Sequence, residues 1–299
     1  MPGLAAGRLN ASLGPCRPVG EAWGVCEPML RFLREIRRQL MNSGQTGRYL
    51  KYALGEIVLV VVGILIALQI DNWNDDRLDR KREQQYLSSM LIDLQEDVER
   101  IDEANEGNVF LLARIDELLE LLGRPAEDVT HLRQIFLHSL VYTYWYLRAD
   151  FSELTMSQLR YSGDLQLIRD KTIRDAMLDY EQGVEACRHQ YAELIQYFHT
   201  YEATQKRLLN YTLAKQAFEY LEEDYRNMLK PLAPFEALVP EGDYIVDDDP
   251  RLMAQYYGDI LFYRTALNNT VWFLGEQKRM AIALARRIED STGPAAPGG

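Results

Sequence analysis

The sequence predicts an all-α protein, with one transmembrane helix followed by an elongated extracytoplasmic antiparallel helical bundle with coiled-coil-like seams. Three observations lead there. Residues 52–70, YALGEIVLVVVGILIALQI, form one apolar run with a single charge, Glu56. Three later stretches repeat apolar residues three and four apart over about 40 residues each, the spacing of helices that bury one stripe. Strand-like alternation is nearly absent.

The apolar run comes first. Nineteen residues at about 1.5 Å each cover about 28 Å, close to the hydrocarbon thickness of a bilayer. Tyr49 and Tyr52 flank one end and Trp73 the other, as interfacial rings do. A buried core helix of a soluble protein is the competing reading, and these flanks oppose it. A cleaved signal peptide is opposed by Ala67-Leu68-Gln69-Ile70-Asp71, which lacks a small-x-small cleavage site. Orientation follows from the basic residues. Arg31, Arg34, Arg37, Arg38, Arg48 and Lys51 precede the run, whereas Asp71, Asp75 and Asp76 open the other side before Arg77, Arg80, Lys81 and Arg82. The excess of Lys and Arg holds the amino end in the cytoplasm. In a bacterium this is a single-pass inner-membrane protein with its body in the periplasm.

The span divides the chain. Residues 1–28, rich in Gly, Pro and Ala without periodicity, read as a disordered tail, with Met29 a plausible translation start. Residues 29–51 form a basic cytoplasmic juxtamembrane segment. Its Leu33, Ile36 and Leu40 oppose Arg34, Arg37 and Arg38, either as a short helix lying on an anionic leaflet or as a plain basic flank. Residues 71–290 make the bundle, and 291–299 a second disordered tail. The net charge is +4 over residues 1–70 and −16 over the remainder. So acidic a body excludes nucleic acid as a partner, because phosphate binding needs basic clusters. Cys16, Cys26 and Cys187 make no disulfide framework, and Cys187 reads as a small core residue.

Within the body, the first seam runs Leu87, Leu91, Leu94, Val98 and Ile101, through Asn105 and Asn108, to Leu112, Ile115, Leu119 and Leu122. Gly123-Arg124-Pro125 stops it. The two Asn either fix register with a partner helix or mark a local break at Gly107. A second seam extends from Ile173 to Thr212 with Asp170 as its cap, and a third from Met253 to Ile288 behind Asp249-Pro250. Shorter pieces lie between: a helix from Val129 through Leu140, then one capped by Thr155 and closed by Gly163. The Pro-rich and acidic stretch 231–249 reads as a lid or contact loop.

Two stretches carry a resemblance. YLKYALGEIVLVVVGILIALQIDNWND (49–75) holds a Gly-Glu-Ile start, a Gly63-Ile64 centre and a Gln69-x-x-Asn72-Trp73-Asn74 exit, and SQLRYSGDLQLIRDKTIRDAMLDY (157–180) holds Ser162-Gly163-Asp164-Leu165. Both resemble a bacterial family of single-pass membrane proteins catalogued only as a domain of unknown function. The resemblance runs over roughly residues 29–290. It implies a membrane anchor and a helical body, and it brings no catalytic residue.

Chemistry-bearing residues are sparse. His131 and His138 stand seven apart with Asp128 nearby, and His189 lies between Glu185 and Glu193, yet no Glu-x-x-His pair occurs. No nucleotide-binding, hydrolase or zinc-protease motif is present. The expectation is a non-enzyme without cofactor or metal. Two groups of residues remain. Glu56, Gly63 and Ala67 share a face of the span, and Gly63-x-x-x-Ala67 is a small-x-x-x-small pair suited to close helix association; Glu56 otherwise snorkels to the interface. Tyr144 and Trp145, with Arg148, Arg160, Gly163 and Arg169 near them in sequence, form either a packed elbow or a ligand pocket with cationic anchors. The function expected is a membrane-anchored interaction or scaffold module touching the lipid bilayer and a protein partner or a second copy. The alternative is a periplasmic ligand-sensing bundle that signals through a partner protein.

Overall fold

A computed structural model describes residues 46–125 and 128–292. The expectations for residues 1–28, for most of the basic segment and for 293–299 lie outside the described residues. Among the described residues seven α-helices follow in order: α1 (Thr46–Leu122), α2 (Val129–Tyr142), α3 (Leu154–Ser162), α4 (Lys171–Leu208), α5 (Lys215–Glu223), α6 (Ala233–Leu238) and α7 (Pro250–Thr292). Short 3-10 turns occupy Asp164–Leu167, Tyr211–Leu213 and Tyr225–Leu229. There is no strand among the described residues, and the one isolated antiparallel bridge joins Leu209 to Ile245. The fold is all-helical, as the apolar spacing predicts.

The chain divides into two units, residues 1–75 and 76–299. In the first, every residue from Leu54 to Ile70 is exposed. This is the one helix among the described residues long and apolar enough to cross a membrane. A core helix would bury at least one face, and this segment buries none.

In the second unit, α4 and α7 pack along their lengths. The Gln277 amide donates to the Tyr180 carbonyl at 2.9 Å and the Thr204 hydroxyl to Asp259 at 2.6 Å, so the two run antiparallel. From Asp76 onward α1 lies against both. Tyr180 donates to Asp97 at 2.7 Å, while Lys278 reaches Asp102 at 2.5 Å and Arg264 reaches Asp116 at 2.8 Å. Hence α1 runs parallel to α4 and antiparallel to α7. The seam residues Leu87, Leu94, Ile173, Met177, Leu284 and Ile288 share one apolar cluster. A second holds Ile101, Leu112, Ile115, Leu194, Ile260 and Leu267, and α2 adds Phe136 and Leu140 to it.

The caps follow local chemistry. Asp170 accepts from the backbone N–H of Thr172 at 2.7 Å and of Ile173 at 3.4 Å. Asp249 accepts from Arg251 N–H at 2.9 Å, ahead of the first-turn Pro250. Gly163 closes α3 at φ 75°, the left-handed conformation glycine adopts most readily.

Three local expectations change. Thr155 does not cap α3, which begins at Leu154; its own N–H donates to Asp93 of α1 at 3.1 Å. A tertiary acid supplies the cap that the sequence pattern assigned locally. The second long helix ends at Leu208 rather than Thr212, because the carbonyl of Leu208 accepts from Val246 N–H at 2.9 Å and Asn210 N–H donates to Tyr244 at 2.9 Å. Those same bonds tie down stretch 231–249. Phe235, Val239 and Tyr244 within it are buried, so it is a packed part of the core and not a lid.

Candidate functional site

The side chains most committed to position lie where α1 meets the extended segment 143–153. Asn108 is fully buried. Its amide donates to the Leu147 carbonyl at 2.9 Å and its oxygen accepts from the Leu147 N–H at 2.8 Å. A non-helical segment has no ladder of its own, so its peptide groups need such partners. Gly107 beside it opens the space: a Cβ there would stand 2.7 Å from a Leu147 methyl. The helix runs unbroken through Gly107. Asn108 therefore pairs with a chain segment and not with a second helix, and Gly107 marks a close approach and not a break.

About three turns earlier in α1, Asp97 is buried and accepts from Tyr180 at 2.7 Å, Ser152 N–H at 2.6 Å and Arg100 at 3.4 Å. Burial raises its carboxyl above the ordinary value, against the opposing pull of those donors. Burial likewise pushes the Tyr180 hydroxyl far up, helped by the neighbouring Asp97 charge. Asp97 sits at the core spacing between Leu94 and Ile101, and an acid on an apolar stripe was the available signal for it. Cys187 is buried, and burial pushes its thiol up to about 12. A thiol so held is a packing group at neutral pH.

The elbow residues do not converge on one point. Tyr144 packs on Trp145, Phe198 and Phe218. Trp145 and Arg148 line a cleft of about 530 Å³ together with Arg100, Glu103, Tyr225 and Met228. Arg160 lines a different cleft and pairs with Glu181. Arg169 pairs with Asp76 and Glu83 near the start of the α1 portion in this unit. Asp76 is held below the usual carboxylate range by hydrogen bonds from Arg80 and Arg169. Gly163 is exposed at the end of α3. Glu103 and Tyr225 were not singled out from the sequence, since nothing in a linear pattern brings α1 beside residues 225–229.

The histidines have separate surroundings. His131 contacts the Leu121 carbonyl at 2.9 Å and His138 contacts Glu117 at 3.2 Å, whereas His189 faces Glu193 at 3.6 Å on the surface. Among the described residues no group of three or more His, Cys, Asp or Glu is placed to hold a metal ion. On the apolar segment, Glu56, Gly63 and Ala67 are all exposed, and a Cβ at Gly63 would meet nothing within 4 Å.

These features define an all-helical protein with one candidate membrane-spanning helix among the described residues. Residues 56–178 match the model of a family of unknown function, DUF6090. The likeness expected from the sequence is thus to a family catalogued only as a domain of unknown function, over a shorter stretch than 29–290. The match begins at Glu56 in the apolar segment and ends within α4, so it takes in the Ser162-Gly163-Asp164-Leu165 stretch and leaves α5 to α7 outside. No curated protein and no solved structure matches the chain.

Proposed function

We propose that the chain is a single-pass inner-membrane protein of a bacterium, with its amino end in the cytoplasm. Its periplasmic body is an elongated antiparallel helical bundle with coiled-coil-like seams, serving as a non-enzymatic interaction or scaffold module. The observation that carries this reading is the uninterrupted exposure of the apolar helix from Leu54 to Ile70, which requires a lipid or protein environment. Support for a non-catalytic body comes from its buried polar groups. Asp97, Asn108 and Gln277 are buried and spend their hydrogen bonds holding elements together.

The partner on this reading is another membrane protein or a second copy, with Glu56, Gly63 and Ala67 as the associating face. Crosslinking in native membranes followed by detergent extraction and mass spectrometry tests it. Repeated recovery of one membrane protein, or of a crosslinked dimer, is expected. Recovery of the uncrosslinked monomer alone would overturn the scaffold reading.

The second reading is a ligand-sensing body that signals through a partner protein. What favours it is the open cleft beside Trp145, with exposed aromatic and charged side chains.

A further inference from the structure

The cleft beside Trp145 has an apolar floor, since Ala104, Leu147 and Met228 are buried. Two rings on its rim remain open, Trp145 at 43% and Tyr225 at 45% exposure. Charges of both signs stand over that floor, and they differ in how far they are committed.

Arg100 is fully occupied. It donates to Glu96 at 2.8 Å, to the Asp150 carbonyl at 3.0 Å and to Ser152 at 3.1 Å. Arg148 is held differently. Its guanidinium lies over the ring of the buried Tyr191, 5.2 Å from the centroid, and its carboxylate neighbour Asp150 is 4.0 Å away with a side chain 89% exposed. An ion pair that long and that wet contributes little, whereas the buried ring fixes the cation in place. Arg148 is thus positioned yet open to a better anion. Glu103, on the α1 side of the cleft, makes no ion pair within 4 Å among the described residues, although Arg226 feels its charge.

We infer that this cleft binds a zwitterion bearing an apolar side chain, a free amino acid or a short peptide. The inference rests on the ligand-sensing reading. The ligand's carboxylate takes Arg148, its ammonium takes Glu103, and its side chain lies over Met228 between Trp145 and Tyr225. A cleft of about 530 Å³ falls within the usual range for small-ligand sites. A simple anion would sit opposite Glu103 uncompensated. A neutral sugar would use the rings and leave both the apolar floor and the opposed charges without a role.

Calorimetric titration of the full chain in detergent tests this, with L-phenylalanine and L-leucyl-L-phenylalanine as probes. 3-Phenylpropionate, 2-phenylethylamine and methyl glucoside serve as comparators. Saturable binding of at least one zwitterion is expected, with Kd of about 1 mM or tighter. Removing either charge from the probe should weaken binding about tenfold or more, the scale of one charge-assisted hydrogen bond. Arg148→Gln should weaken the zwitterion by a similar factor and leave 2-phenylethylamine unchanged. Glu103→Gln should do so while sparing 3-phenylpropionate. Failure of both zwitterions to bind overturns this ligand class. If methyl glucoside then binds, and loses affinity in Trp145→Ala, the ligand-sensing reading survives with another chemistry. If no probe binds, both readings of the cleft fall.

Discussion

Replacing Asn108 by Ala tests the joint between α1 and segment 143–153 most directly. The side chain is fully buried and makes two bonds to one residue, donating to the Leu147 carbonyl at 2.9 Å and accepting from its N–H at 2.8 Å. Truncation strands both peptide groups beside a sealed core. Each unsatisfied buried group costs about 1–3 kcal/mol, and partial relaxation of an extended segment brings the sum to roughly 2–4 kcal/mol. For a domain of this size that lowers the melting temperature by about 5–15 °C. Thermal unfolding of the full chain in detergent, followed by far-ultraviolet circular dichroism, measures it. Asn108→Asp sharpens the test. It keeps the acceptor for the Leu147 N–H, loses the donor, and sets a carboxylate against the Leu147 carbonyl, so it should destabilise at neutral pH at least as much as the alanine. A loss below about 0.5 kcal/mol in either variant, the scale of an ordinary surface change, would refute the claim that Asn108 holds this segment.

Three further outcomes are expected. Burial raises the Asp97 carboxyl above 3.8, so between that value and the raised one the folded chain binds more protons than the unfolded chain. Stability contributed by this group therefore falls as pH rises through that window. The stability of the parent chain relative to Asp97→Asn should decline as pH rises above 3.8, and a flat or rising difference in urea unfolding would contradict it. Cys187 should resist maleimide in a Cys16→Ser, Cys26→Ser background, because its thiol is 2% exposed and pushed up to about 12; rapid labelling without denaturant would show that its helix face opens. Gly63→Ile should lower self-association about tenfold in a membrane two-hybrid assay, about 1.4 kcal/mol of lost close packing, while an unchanged signal would leave any dimer to the body.

Much of the architecture was legible because long helices write their burial into the sequence every three or four residues. The seams through Leu94, Met177 and Leu284 are buried as their spacing requires, and Asp170, Asp249 and Gly163 stand at the ends their chemistry suits. What the sequence left open was decided by partners distant along the chain. Asp93 caps α3 in place of Thr155, and Tyr244 and Val246 end α4 early. Asn108 reads as a seam residue awaiting a helix, but it meets the backbone of Leu147. The candidate cleft was half legible. Trp145 and Arg148 stand together in the sequence, whereas Glu103 and Tyr225 reach them only through the fold.

Topology tests the central claim most directly. A reporter enzyme that is active only outside the cytoplasm, fused after Asp290 at the end of α7, should be fully active. The same fusion made with a reporter active only in the cytoplasm should be silent, because the proposed orientation keeps the basic segment before the apolar helix inside. Activity of the cytoplasmic reporter alone, or recovery of the intact fusion from the soluble fraction, would contradict a membrane-anchored body outside the cytoplasm.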